Sequence, residues 1–177
     1  MSLEQWTYPI GREEKSEKFS EELISNSISA IQALPGWLDV VIQNLDEHQL
    51  NTSYRPGGWT IIQVIHHLAD SHMNAYIRLK LALTEDNPVI KPYDEKLWAE
   101  LPDVKLVPVN VSITLLHALH IRWVQTLLSL EPSEWERSYY HPQSKETMTL
   151  WEMTAKYAWH SRHHMEQIRG LRDRMDW

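Results

Sequence analysis

The sequence predicts an all-α protein built as a four-helix bundle. Four long segments carry apolar residues at helical spacing. Only five glycines occur in 177 residues, and no segment shows a clear strand alternation. Prolines concentrate in the stretches between the helical segments. We therefore expect an up-down-up-down bundle with at least one long crossover, formed by a single domain over residues 1–177, with residues 1–19 as an N-terminal extension that packs on the bundle.

The first helix is predicted from Ser20 to Leu45, with a kink or a division into two helices at Pro35. A breaker at 54–59, which contains a proline and two glycines, precedes the second helix. Thr60 is a plausible N-cap for that helix, which should reach Thr84. Its main apolar stripe consists of Ile61, Ile65, Leu68, His72, Tyr76, Leu79 and Leu83.

A long connection follows the second helix, from Glu85 to about Val109, and its four prolines disfavour regular structure. The third helix should begin at an Asn110 N-cap and end near Leu130. Residues 131–148 are mostly loop, although 138–140 and 146–149 are compatible with a short hairpin. The fourth helix is predicted to begin after Thr149 and to reach Arg172.

Charge and composition exclude several classes of function. The net charge of −7 and the lack of a Lys/Arg block argue against a nucleic-acid-binding surface. The zero cysteine count excludes disulfides, zinc fingers, iron–sulfur clusters and a cysteine nucleophile. No apolar run approaches the roughly 20 residues of a membrane span, and the N-terminus lacks a signal-peptide pattern. We expect a cytoplasmic protein without a membrane or nucleic-acid partner.

His160 and His164 are the most informative pair in the chain. They lie four residues apart on a predicted helix, so both side chains lie on one face. That face also carries Met153, Tyr157, Ile168 and Leu171, which predicts that the imidazoles point into the protein. Buried histidines need hydrogen-bond partners or a metal ion, so the pair indicates either a metal site or core histidines. Ser161 stands where a His-Glu-x-x-His protease would have its glutamate, which excludes that class.

A third metal ligand would have to come from another helix, and the second helix offers His66, His67 and His72. Periodicity favours His72 as the buried one. His67 shares a stripe with Thr60, Ser71, Asn74 and Arg78, which would be solvated on a surface helix but could line a polar cavity in a bundle. The pattern leaves this choice open. His117 and His120 on the third helix are expected to be packing groups, partners of a ligand or substrate contacts.

Several motifs together resemble the YfiT branch of the DinB-like superfamily. They are 8–11 (YPIG), 54–60 (YRPGGWT), 66–74 (HHLADSHMN), 92–96 (PYDEK) and 159–164 (WHSRHH). The resemblance covers nearly the whole chain. It implies a four-helix bundle, a homodimer, and one divalent metal ion per subunit held by His67, His160 and His164. It also implies either a metal-dependent hydrolase or a thiol S-transferase of the bacillithiol type.

Three neutral imidazoles leave a divalent ion with open coordination positions. Zinc is the first expectation, with nickel or manganese as alternatives. Such an ion can activate a thiol, and we expect transfer of a low-molecular-weight thiol to a small electrophile. Hydrolysis by a metal-activated water is the alternative. A non-catalytic, metal-stabilised dimeric binding module is the second alternative, although structural zinc usually has four protein ligands.

Other site residues are less well specified by the sequence. Asp70, three residues from His67, is a candidate general base. Asn74, Arg78, His120 and Tyr157 are candidate substrate contacts. Arg78, Arg122 and Arg162 are candidates for holding a carboxylate.

Overall fold

Four long helices form the body of the molecule. The computed structural model describes residues 2–177. The long helices are α2 (Glu21–Val41), α4 (Ile61–Thr84), α7 (Val109–Leu128) and α8 (Leu150–Met175). The shorter elements are α1 (Leu3–Thr7), α3 (Glu47–Leu50), α5 (Glu95–Trp98), α6 (Pro102–Leu106), a 3-10 turn (Pro132–Glu136), β1 (Ser138–His141) and β2 (Glu146–Thr149). The predicted four-helix bundle is confirmed.

The helix directions differ from the predicted order. One apolar cluster joins the beginnings of α2 and α8 to the ends of α4 and α7, and includes Ile24, Leu79, Leu127 and Leu150. A second cluster joins the opposite ends, and includes Leu38, Ile65, Ile113 and Ile168. Thus α2 and α8 run one way, and α4 and α7 run the other. The order is up-down-down-up rather than up-down-up-down.

The long crossover explains this order. Residues 85–108 leave the end of α4, carry α5 and α6, and return to the bundle end where α4 began. Helix α7 therefore starts beside the start of α4 and lies parallel to it. The crossover itself was predicted, and its presence is confirmed.

Helix α2 is one unbroken helix that passes through Pro35 and ends at Val41, before Leu45. Of the two alternatives predicted at Pro35, a kink or a division, the division is therefore wrong. Pro35 is buried beside Leu34 and Leu38, and this packing holds the helix together. Because proline has no N–H, the carbonyl of Ile31, four residues earlier, loses its usual helical partner.

One of the two predicted N-caps is correct, and the residue predicted to precede the fourth helix caps it. Thr60 accepts from the backbone N–H of Gln63, and Thr149 accepts from that of Glu152; both form capping boxes. The prediction of Asn110 as the N-cap of α7 is wrong, because Pro108 holds that position with φ −61° and ψ 143°. The fixed φ of proline and the burial of Val109 start the helix earlier.

The hairpin that the sequence left open is present. Strands β1 and β2 pair antiparallel, with Ser138 opposite Thr149, and lead directly into α8. The N-terminal segment contacts α8, where the side chain of Gln167 donates to the carbonyl of Thr7. No helix within residues 2–177 is long and apolar enough to cross a membrane.

Candidate metal centre

Three histidines converge where the middle of α8 faces α4. His67 comes from α4, and His160 and His164 come from α8; one ring nitrogen of each lies within 4.8 Å of the other two. The Nε2 atoms of His67 and His160 are 3.2 Å apart. Zinc–nitrogen bonds of about 2.0–2.1 Å in a tetrahedron place donor atoms about 3.3 Å apart. The spacing of this pair therefore fits a shared ion.

The other two histidines of α4 lie elsewhere. His66 faces α7, where its ring contacts the hydroxyl of Ser112 at 2.7 Å and the carbonyl of Val107 at 3.1 Å. His72 is fully buried, as periodicity predicted, but it contacts the far side of the His160 ring. The geometry thus groups His67 with the α8 pair, in agreement with the resemblance.

A chain of imidazoles stands behind His160. The Nδ1 atom of His120 contacts the carbonyl of Ile31, the Nε2 atom of His120 lies 2.9 Å from Nδ1 of His72, and Nε2 of His72 lies 3.3 Å from Nδ1 of His160. A carbonyl only accepts, so His120 donates from Nδ1. A neutral ring then accepts at Nε2, which makes His72 and His160 donate from Nδ1 in turn. This leaves the lone pair of His160 Nε2 directed at the cluster.

His164 is held in the same tautomer by a separate partner. The amide nitrogen of Gln167 donates to the carbonyl of Thr7 and lies 2.9 Å from Nε2 of His163. Its amide oxygen accepts from Nδ1 of His164 at 2.8 Å. The Nε2 lone pair of His164 is therefore also available. Trp59 packs against His67, with ring centroids 4.7 Å apart.

Burial keeps these rings neutral. It lowers the pKa of His67 and of His120 to about 4. It lowers the pKa of His72, His160 and His164 well below the usual histidine value, and neighbouring histidines add to the effect. Divalent metals bind the neutral imidazole. The donor set at this position therefore fits zinc and similar divalent ions.

The cluster borders a cavity of about 420 Å³. Its wall includes Trp59, Ser71, Arg78, Tyr93, Glu95, His141, Gln143, Lys156 and Tyr157. The predicted substrate contacts Arg78 and Tyr157 are thus in place. Trp59, Tyr93 and His141 come from loops and the hairpin, where helical periodicity gives no sign of burial. The only sequence signal for them was their place in a short motif or beside a proline.

Five predicted site residues lie outside this wall: Asp70, Asn74, His120, Arg122 and Arg162, of which the two arginines are exposed. His120 is separated from the cavity by His72, so the expectation that it contacts substrate is revised to a partner of that ring. Asn74 donates to the carbonyl of Asp70 on its own helix. Asp70 is half-buried, and burial raises its pKa to about 6, but it does not line the cavity.

The chain is similar to one protein family and to several known proteins. A model of the DinB superfamily matches residues 31–168. A "Putative metal-dependent hydrolase" of Bacillus mycoides is 53% identical over 96% of this chain and 97% of its own length, and one of Bacillus thuringiensis is 52% identical over the same shares. YfiT from Bacillus subtilis, described as "a probable metal-dependent hydrolase with an unusual four-helix bundle topology", is 45% identical, with a TM-score of 0.95 over 98% of this chain and 99% of that chain.

Proposed function

The chain belongs to the DinB superfamily, and on that basis we propose that it is a metal-dependent enzyme. His67, His160 and His164 would hold one divalent ion per chain, zinc by the chemistry of the donor set, with nickel and manganese as alternatives. The observation that carries the proposal is the convergence of these three rings at the wall of the cavity. Three protein ligands leave a position open for a reacting molecule.

The ion supplies one kind of chemistry when bound: it lowers the pKa of a thiol or a water molecule that reaches its open position. The chain's own residues shape that position. Trp59 packs beside the ring of His67 in the wall of the cavity. Tyr157, one turn before His160, forms the neighbouring wall.

The reaction that we favour is transfer of a low-molecular-weight thiol, of the bacillithiol type, to a small electrophile. The sulfur–carbon bond forms as the bond from carbon to its leaving group breaks, the thiol proton passes to solvent, and a halide leaves as an anion. Such a displacement needs no general acid. Glu95 is the single carboxylate in the wall of the cavity, and this step does not require it.

Hydrolysis is the second candidate. The names of the Bacillus relatives favour it, since they describe metal-dependent hydrolases. Glu95 favours it as well, because a carboxylate in the cavity wall could accept the proton of an attacking water. Asp70, the candidate base from the sequence, lies outside the wall and is the weaker choice.

The test begins with metal content. Protein purified without a tag or added metal should carry about one zinc, nickel or manganese per chain, and a His160→Ala/His164→Ala variant should carry none. Exposed His48 provides the matched control, His48→Ala. Loaded protein should then conjugate bacillithiol to monochlorobimane and release chloride.

Three outcomes separate the candidates. Cleavage of p-nitrophenyl acetate without conjugation would favour hydrolysis. Metal that raises the melting temperature without either activity would favour the non-catalytic module. Absence of metal from both proteins would remove the enzyme proposal. Sedimentation of the loaded protein tests the homodimer that we include in the proposal.

A further inference from the structure

A second cluster of groups shares the cavity with the histidines. Arg78 on α4 is only 8% exposed. Its guanidinium donates to the hydroxyl of Tyr157 at 3.4 Å, and no Asp or Glu of residues 2–177 forms a salt bridge with it. A buried charge without a counter-ion is costly, so an arginine in this position calls for an anion.

No carboxylate of residues 2–177 pairs with Arg78, although Glu95 lies in the wall of the cavity that Arg78 shares with the histidines. A pocket of about 310 Å³ beside it is lined by Tyr139, His141, Lys156 and Tyr157, among others, and by no carboxylate. Burial raises the pKa of Tyr139, so its phenol stays neutral. Lys156 adds a second positive charge; it is half-buried, and its ammonium lies 3.7 Å from Glu13.

From this arrangement we propose that Arg78 forms an anion subsite, which takes a carboxylate of the small molecule whose reacting group lies at the three histidines. The planar guanidinium offers paired N–H donors that match a carboxylate. Tyr157 connects the two positions, since it contacts Arg78 and stands one turn from His160. The inference rests on the proposed function only for the chemistry at the histidine end.

Two thiols test the subsite. Cobalt-loaded protein reports a bound thiolate by its charge-transfer absorption, which gives a Kd for mercaptosuccinate and for 2-mercaptoethanol. Mercaptosuccinate should bind the natural protein at least about tenfold more tightly, because it adds a charge-assisted pair with Arg78. Arg78→Gln should remove that advantage and leave 2-mercaptoethanol unchanged. Arg78→Lys should keep part of it.

Arg122→Gln is the matched control, because Arg122 is exposed on α7 and its loss changes the net charge equally. An unchanged mercaptosuccinate Kd in Arg78→Gln would overturn the subsite. Absence of a cobalt–thiolate band with either thiol would instead count against the thiol reaction. In that case the metal-free protein tests the Arg78 subsite independently of the thiol reaction. Succinate should raise its melting temperature, and Arg78→Gln should abolish that rise.

A second inference rests on different contacts, those between Pro35 and His160. Pro35 supplies no N–H to Ile31, and the free carbonyl of Ile31 receives Nδ1 of His120. The hydrogen bonds then continue through His72 to His160. We infer that His120 and His72 are positioning residues that fix the tautomer of His160 for metal binding, with the proline-freed carbonyl as their anchor.

The tautomer can be measured directly. Ring nitrogen NMR shifts of metal-free protein should show His72 and His160 protonated at Nδ1. His120→Leu should lower zinc affinity, measured by chelator competition, by about 10- to 100-fold, the usual cost of losing a partner of a metal ligand. His120→Gln, which retains a donor and an acceptor, should restore much of the affinity.

His117→Leu is the control, since His117 is exposed on the same helix and contacts Asp39. A His160 ring protonated at Nε2 in the metal-free natural protein would overturn the inference, even if His120→Leu failed to fold. Equal zinc affinity in His120→Leu and the natural protein would overturn it as well.

Discussion

The two ends of the cavity carry groups in opposite charge states, neutral at one end and positive at the other, although α4 and α8 supply the residues of both ends. At one end, burial holds His67, His160 and His164 neutral, so their lone pairs can receive a cation. At the other end, Arg78 keeps its charge at a similar depth. Arg78 lies three turns along α4 from His67, and Tyr157 lies one turn along α8 from His160. A few helical turns are therefore enough to place a cation site beside an anion site.

The difference lies in the partners behind each group. His160 and His164 each donate from Nδ1 to a fixed acceptor, which completes their hydrogen bonding within the protein. Arg78 contacts the hydroxyls of Tyr157 and Tyr139, neither of which neutralises its charge, and further donors remain for a ligand. The fold thus orients the histidine end in advance, whereas the arginine end needs a bound anion to satisfy its remaining donors.

The largest expected effect is a decrease in the free energy of unfolding at low pH, caused by the buried histidines. The folded pKa of His67 and of His120 is about 4, below the ordinary 6.5. Between these values the unfolded chain binds more protons, so the free energy of unfolding falls as the pH falls from 6.5 to 4. Each ring contributes about 3 kcal/mol to this loss. Urea unfolding of the metal-free protein between pH 7.5 and 4 measures it.

Two variants sharpen this test. His48→Gln is the control, because His48 is exposed and lies outside the histidine cluster. Asp70→Asn should make the loss steeper: burial raises the pKa of Asp70 to about 6, so its protonation in the folded state offsets part of the loss. A free energy of unfolding that stays constant from pH 6.5 to 4 would contradict the neutral, buried state of the rings.

The helices and the α8 pair were predictable because both depend on local chemistry. Thr60 and Thr149 cap their helices through side chains three residues away. His160 and His164 face inward because the four-residue spacing keeps them on the apolar face of α8. Helical periodicity and capping carry this information without any knowledge of the tertiary structure.

The remaining features depend on contacts between distant segments. The direction of α7 could not be predicted, because a 24-residue connection can return to either end of the bundle. His67 could not be separated from His72 by periodicity, because the bundle buries both faces of α4. The role of Pro35 rests on a contact between Ile31 and a ring 89 residues later.

The smallest expected effect comes from Tyr157→Phe, which tests whether the two ends are separable. The variant removes the hydroxyl that Arg78 contacts at 3.4 Å but keeps the ring that packs beside His160. Succinate should bind metal-free protein about threefold more weakly, the usual scale for one modest hydrogen bond. Zinc affinity should stay the same, because no ligand loses a partner. Calorimetry with each ligand measures both quantities.

Tyr76→Phe is the control for this variant, because the Tyr76 ring contacts exposed Arg122 of α7 and does not line the cavity. A tenfold loss of zinc affinity in Tyr157→Phe would mean that the hydroxyl supports His160 and that the ends share one network. Unchanged succinate binding would mean that Arg78 holds its position without the tyrosine. Either result would change the role assigned to Tyr157, which contacts both the preorganised cation site and the anion site that the ligand completes.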